Sequence, residues 1–444
     1  MDRDLAILEE KLDSFDAGER KEALSALLEK VECGAAPLPQ AGDIVNLHCH
    51  TFFSYNAYGY SPSRFAWLAR RAGLALAGIV DFDVLDGLEE FSEAGHLLGL
   101  KTCAGLETRV YIPEFAEYVI NSPGEPGVSY HMGVGLPTSS LEGDAAKFLL
   151  RLRETSEARN RGLVGRVNES LGPVALDYDR DVLPLTPSGN ATERHICLAY
   201  ARKARSHFAN DDRLGAFWSE KLGVEESALD LPEGTNLQAL IRAKTMKRGG
   251  IGYVQPDSGS FPGLAETNRF LLDAGGIPTH TWLDGTSEGE SRMEELLRVA
   301  MSTGVAAINV IPDRNYTPGE PGLKLENLRR VVALAQELDL LVVSGTEMNS
   351  PGQPFVDDFE SAELSSLAPV LLRSAYVIYA HSVLQRAAGL GYASEWAQKH
   401  FPRRRHRSEF FHEVGRRLSP STEHLLGESH AGAAPSTILA RLTH

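Results

Sequence analysis

The sequence predicts an α/β fold in which a parallel sheet is covered by helices. Three observations lead there. Continuous apolar strand candidates alternate with amphipathic helix candidates in two blocks, one near each end of the chain, and uninterrupted apolar strands are those buried on both faces. Polar residues of both blocks collect at the C-terminal ends of these strands, where α/β sheets and barrels carry their sites. The 444 residues suffice for one large domain with additions, or for two or three domains.

The elements follow in order. Residues 3 to about 32 have helical periodicity: Leu5, Leu8 and Leu12 form one stripe, and Ala23, Leu24, Leu27, Leu28 and Val31 a second, with a break at 16–18. The segment "GAAPLPQAG" is a linker. "DIVNLHCH" is the first strand candidate. "SPSRFAWLARRAG" is a capped helix, with Ser61 as N-cap, Pro62 in the first turn, Gly73 at its end, and Phe65, Leu68, Ala69 and Ala72 as its buried stripe. "LALAGIVDFD" is a strand, "LDGLEEFSEAGHLLG" a helix and "LKTCAGLETRVYI" a strand. The alternation returns after residue 262 as "PGLAETNRFLLDAGG", "IPTHTW", "SRMEELLRVAMSTG", "VAAINVI", "LENLRRVVALAQELD" and "LLVVSGTE". Between the blocks, 139–261 lacks strand alternation and is expected to be a mostly helical insert. The chain thus divides into a helical extension at 1–40, a first α/β part at 41–138, the insert, a second α/β part at 262–360, and a helical region at 361–444. The basic run "PRRRHR" in that last region is expected to be a solvated helix face or turn.

Composition excludes several classes. The net charge is −16, a poor match to nucleic-acid phosphates, so long nucleic acid is not an expected partner. Four cysteines without CxxC spacing argue against a thiolate zinc site or a disulfide framework. The start of the chain is charged and helical rather than signal-like, and the longest apolar run, "LALAGIV", is too short to span a bilayer. A cytoplasmic setting without a membrane partner is expected.

The polar residues at the strand ends carry the chemistry. His48 and His50 lie one residue apart on a strand candidate, so both imidazoles project to one face. Asp81, Asp83, Glu107, His131, His280 and Glu347 occupy the other strand ends. A mixed histidine and carboxylate set suits Zn, Mn or Fe rather than Ca or Mg.

The segments "HCHT", "VDFDVLDGLEEF", "GLE", "YHMGVG", "GGIPTHTW" and "SGTE", in that order, resemble the PHP family, named for polymerase and histidinol phosphatase. The resemblance covers about 43–135 and 262–350. It implies a distorted (β/α)7 barrel with 139–261 as an insert and helical extensions at both ends. It also implies a metal-dependent phosphoesterase. One metal would take His48, His50, Glu107 and Glu347, where the family usually has Asp at the last position. A second metal would share Glu107 and add His131 and His280. The customary ligands of a third metal fall at Tyr55 or Asn56, Phe82 and Asn349, none of which suits the role. A centre of two divalent ions, Zn, Mn or Fe, without the third is therefore expected. Arg314, at a strand end where the family often has Arg, would bind phosphate in a bidentate manner. Asp81 would orient a ligand histidine. His195 and His381 stand in reserve, each more often a structural histidine.

Two ions roughly 3.5–4 Å apart can activate a bridging water and clamp the attacking and leaving oxygens of a displacement at phosphorus. The expected activity is hydrolysis of a phosphate ester, a small phosphorylated metabolite or short nucleotide, with the insert capping the barrel mouth. Two other readings stay open. A barrel that has lost one metal site can persist as a metal-binding scaffold or regulatory module. Two-metal barrels of the amidohydrolase type cleave C–N bonds instead, usually with a carboxylated Lys or an Asp as bridge; Glu107 in that place favours the phosphoesterase.

Overall fold

Seven strands form one sheet whose spatial order is the order of the chain: β1 (Val45–Cys49), β2 (Leu76–Phe82), β3 (Lys101–Tyr111), β4 (Val128–Val134), β5 (Ile277–Thr281), β6 (Ala307–Val310) and β7 (Leu341–Ser344). In this computed structural model the described residues are 3–442 apart from positions 209, 318, 320, 321, 428 and 431. A bridge between Cys49 and Glu347 joins the two edges and leaves a nearly closed barrel. Glu347 N donates to His48 O (2.7 Å), and His50 N to Glu347 O (2.8 Å).

All pairings are parallel except those of β4, which runs antiparallel to both β3 and β5. The expectation of a wholly parallel sheet is corrected there. A parallel return needs a crossover, usually a helix. The connection from β3 to β4 instead turns back on itself through a 3-10 turn at Pro113–Phe115, with Ile112 N donating to Gly127 O (2.8 Å).

The helices are, in order, α1 (Arg3–Lys11), α2 (Ala17–Glu32), α3 (Pro62–Arg71), α4 (Leu88–Leu98), α5 (Gly143–Leu171), α6 (Glu193–His207), α7 (Asp211–Leu222), α8 (Thr235–Ile241), α9 (Leu264–Asp273), α10 (Met293–Ser302), α11 (Leu323–Glu337), α12 (Ala368–Ala388), α13 (Glu395–His400), α14 (Arg404–Arg417) and α15 (Pro435–Arg441). The chain forms two compact units. One comprises Met1–Thr51, Asn56–Lys147 and Ser258–His444 and contains the barrel. Its core runs from the strands into the C-terminal helices, through Leu296, Leu328, Val343, Ile378 and Phe411. The second comprises Phe52–Tyr55 and Phe148–Asp257. It is helical, with its own core that includes Val167, Leu171, Tyr200, Trp218 and Ile241.

Helix α3 starts as its sequence dictates: Ser61 Oγ accepts from Arg64 N (2.9 Å) and Pro62 opens the first turn. The N-terminal helices dock on α3 and α4 through buried charges. Glu9 accepts from Trp67 Nε1 (2.8 Å) and pairs with Arg71, and Arg20 forks onto Glu90. The basic run departs from expectation at one residue. Arg407 is buried, and its guanidinium donates to the carbonyls of Phe401 and Tyr392. Among the described residues no helix is long and apolar enough to cross a membrane.

Closure leaves no room beside β1. A Cβ on Gly345 would lie 2.3 Å from Asn46 Oδ1 and 2.4 Å from His48 N. Gly345→Ala should therefore open the seam, at a cost of about 1–3 kcal/mol or more. A thermal melt checks this, and an unchanged melting temperature would contradict it.

Candidate metal centre

The first and third strands build the centre. His48 projects from β1 and His50 from the position just past its end, to the same side, and Glu107 from β3 meets them. Glu107 Oε2 lies 3.5 Å from His48 Nε2 and 3.2 Å from His50 Nε2. All three residues are buried, and their ligand atoms lie within 4.8 Å of one another. Among the described residues this is the one such group of three or more. Among the described residues, His48 Nε2 and Glu107 Oε2 are buried without a hydrogen-bond partner. Buried polar atoms are nearly always paired, so the bare lone pairs fit an ion between them. Two imidazoles and a carboxylate form a donor set that suits Zn, Mn or Fe.

The electrostatics agree. Burial alone would raise the Glu107 carboxyl, but contact with His48 and His50 and their charge outweigh it and hold it down at about 2. Burial opposes a proton on His48, but Glu107, the charge of Glu347 and Asn309 outweigh it and raise its pKa. The pair therefore favours an ionised carboxylate and a positive partner, a need that a cation meets as well as a proton does.

Neighbouring side chains fix the ligands. Asn309 on β6 sets its Oδ1 3.2 Å from His48 Nδ1. With the carboxamide oxygen accepting, Nδ1 carries the hydrogen and Nε2 presents its lone pair. Phe82 stacks on the His50 ring, centroids 4.4 Å apart and planes at 21°. Asp81 accepts from Thr51 N and from Thr51 Oγ1, both at 2.7 Å, and so pins the chain just past His50. Glu347 sits at the closure with its carboxylate outside the three-residue group. Its Oε2 takes Gln353 Nε2 (3.0 Å) and Arg314 Nη1 (3.4 Å). Arg314 stands on the 3-10 turn Pro312–Asn315 that follows β6.

His131 and His280 are not brought into the group. In the β3–β4 register Glu107 faces Met132 while Thr108 faces His131, and His131 in turn faces His280 on β5. Residues directly opposite share a face and successive residues alternate, so His131 projects away from the side that Glu107 occupies. Its Nε2 meets Asn268 Oδ1 on α9 (2.6 Å). The His131 and His280 ring centroids are 6.4 Å apart. Among the described residues, His131 Nδ1 and both nitrogens of His280 are buried without a hydrogen-bond partner.

The positions where a third metal would be sought have other work. Asn56 donates to His50 O (2.8 Å) and accepts from Tyr58 N and Tyr60 N. Asn349 Oδ1 lies 3.4 Å from Ser350 Oγ. Tyr55 packs edge-on against His195 inside the helical unit. His195 closes a capping box with Thr192 at the start of α6. His381, buried on α12, accepts from Tyr392 N (2.8 Å). Asp83 takes a left-handed φ of 59° and accepts from Thr108 Oγ1 (2.6 Å). Sequence reasoning missed Asn309, Asn268 and Gln353. Of these only Asn309 carried a signal, a carboxamide inside the apolar run "VAAINVI".

No protein-family model matches the chain, and comparison with curated proteins returns no match. Two solved structures are similar in part. An amidohydrolase from Chromobacterium violaceum with bound sulfate and no metal is 19% identical, with a TM-score of 0.48 over 72% of this chain and 96% of that one. A protein of Bifidobacterium adolescentis, assigned as a metal-dependent phosphoesterase, is 18% identical, with a TM-score of 0.48 over 75% and 97%.

The buried histidines predict acid sensitivity. Burial pushes His131, His195 and His381 down to about 4; burial and the His131 charge push His280 down to about 3. Each binds its proton less readily when folded than when unfolded, where the value is near 6.5. Between pH 6.5 and 4 the unfolded chain holds more protons, so stability falls as pH drops through that window. Each of the four accounts for on the order of 3 kcal/mol; the carboxyls of Asp13 and Asp357, which burial raises to about 6 and about 7, and His48, shifted upward, offset part of that sum. The melting temperature of metal-free protein should be lower at pH 4 than at pH 6.5; equal values would contradict the assignment.

Proposed function

We propose that the protein is a metal-dependent hydrolase of phosphate esters, of the PHP type, with a divalent ion held by His48, His50 and Glu107. One observation carries the reading: two imidazole nitrogens and a carboxylate oxygen converge in a fully buried group in which His48 Nε2 and Glu107 Oε2 have no hydrogen-bond partner among the described residues. A Zn, Mn or Fe ion bound there supplies Lewis-acid polarisation and a water of lowered pKa.

The chain's own residues do the rest. Glu107 stays ionised at neutral pH because the two histidines hold its proton off. Asn309 keeps His48 Nε2 open, and Phe82 holds the plane of the His50 ring. Arg314 favours a phosphoryl over an acyl substrate. Its side chain is 45% exposed while its Nη1 rests 3.4 Å from Glu347, so it can trade one oxyanion for another and bind phosphoryl oxygens in a fork. With an overall charge of −16, a small phosphorylated metabolite or short nucleotide suits the chain better than a long nucleic acid. A second ion on Glu107, His131 and His280 is the alternative stoichiometry. The bare nitrogens of both histidines speak for it, and the face from which His131 projects speaks against it.

Protein purified without chelator should retain at least one Zn, Mn or Fe per chain by elemental analysis. His50→Ala and Glu107→Gln should each lower metal affinity by more than about 100-fold, beyond the range that outer-shell changes reach. Both should abolish hydrolysis of a panel of phosphomonoesters and phosphodiesters. Wild-type protein that takes up no metal and leaves the panel untouched would instead mark a scaffold, and cleavage confined to amides would mark a C–N hydrolase.

A further inference from the structure

Two asparagines each meet a histidine, and the fold treats them differently. Asn268 accepts from His131 Nε2 through Oδ1 (2.6 Å), and its amide donates to Thr303 Oγ1 (2.8 Å). Both ends of that carboxamide are used by the protein. Asn309 faces His48 Nδ1 through Oδ1 (3.2 Å), yet its Nδ2 is buried with no hydrogen-bond partner among the described residues. Asn309 is fully buried on β6. Its register partner on β5 is Thr281, whose Oγ1 is likewise buried without a partner among the described residues.

A buried donor without an acceptor is as costly as a lost hydrogen bond. A residue needed only to hold His48 would have its amide tied back to the protein, as Asn268 has. Turning the carboxamide around would give Nδ2 the His48 Nδ1 lone pair but leave Oδ1 bare in its place. It would place the His48 hydrogen on Nε2, against Glu107, and deny that nitrogen to an ion.

We infer that Asn309 is a two-ended residue of the metal centre: Oδ1 holds His48 with Nε2 open to the ion, and Nδ2 donates to a phosphoryl oxygen bound beside it. The donor half rests on the phosphoesterase reading; the acceptor half needs only a metal.

The test uses the full chain and two probes, Mn(II) alone and inorganic phosphate on the Mn-loaded protein, both by calorimetry. In Asn309→Ala both ends are lost, and Mn(II) affinity should fall about 10- to 100-fold. Asn309→Asp keeps an acceptor for His48 at nearly the same shape. Its Mn(II) affinity should stay within about threefold of wild type or tighten, while phosphate affinity falls at least tenfold, the scale of a lost hydrogen bond to a charged group. Full Mn(II) affinity in the alanine variant overturns the acceptor half. Full phosphate affinity in the aspartate variant overturns the donor half. Wild-type protein that binds Mn(II) but no phosphate overturns the donor half together with the phosphoesterase reading, while the Mn(II) affinities still decide the acceptor half. If the alanine variant fails to fold by circular dichroism, the near-isosteric aspartate variant and Asn309→Ser, which also lacks the long acceptor, replace it in the Mn(II) comparison.

Discussion

Two backbone hydrogen bonds hold the centre together, Glu347 N to His48 O and His50 N to Glu347 O. They join the first strand to the residues after the last, and their partners are some three hundred positions apart in the chain. Side chains reinforce the seam: Asn46 Nδ2 donates to Thr346 Oγ1 (3.0 Å) and to Phe355 O (2.8 Å). Glu347 and Met348 take left-handed backbone angles, φ 60° and 55°, to make this turn. Such angles in residues other than glycine cost of order 1–3 kcal/mol each and persist only where the surroundings impose them. Here the imposition has a result. The histidine pair, the last carboxylate and the turn bearing Arg314 end on one rim, although no two of these segments adjoin in sequence.

Several buried charges follow one rule. Glu9 is answered by Trp67 and Arg71, and Arg20 by Glu90. Glu290 accepts from three successive backbone N–H groups, of Leu283, Asp284 and Gly285, and so holds the loop beyond β5. Each is a buried ion with its partners in place, as the cost of desolvation requires. Glu107 departs from the rule. Its near neighbours are two imidazoles whose protons are optional. A group that is complete only after taking up a positive charge has the chemistry to hold a cation.

How much of this was legible in the sequence follows from what sequence patterns encode. Strand and helix alternation reports which stretches are buried, so β1 to β3, β5 to β7 and their helices could be read in order. Period and composition say nothing of strand direction, so the antiparallel β4 was not. Location at a strand end was legible; the face was not. His131 lies one register step from sharing a face with Glu107, and that step is set by the β3–β4 connection, which has no periodic signal. The HxH pair was safe from this error because residues two apart share a face whatever the register. Long-range partners were invisible too: nothing in "DLAILEEKL" marks Glu9 as the acceptor for Trp67, and nothing in "PGQPF" marks Gln353 as a neighbour of Glu347.

The positions where the PHP resemblance would seek a third metal bear on whether the centre is in decline. A ligand position that decays under no constraint is expected to lose its contacts along with its function. Phe82 and Asn56 instead make contacts, and both lie on the same residue. Phe82 stacks on the His50 ring, and Asn56 ties down the His50 carbonyl while capping the loop through Tyr58 and Tyr60. A ring clamped from its face and a backbone clamped from its carbonyl leave His50 few ways to turn. Fixing a ligand in one orientation has value only where something is to be bound. At the positions where the resemblance would seek a third metal, Phe82 and Asn56 thus stiffen the histidine group, which speaks for a working centre over a barrel kept only as a scaffold.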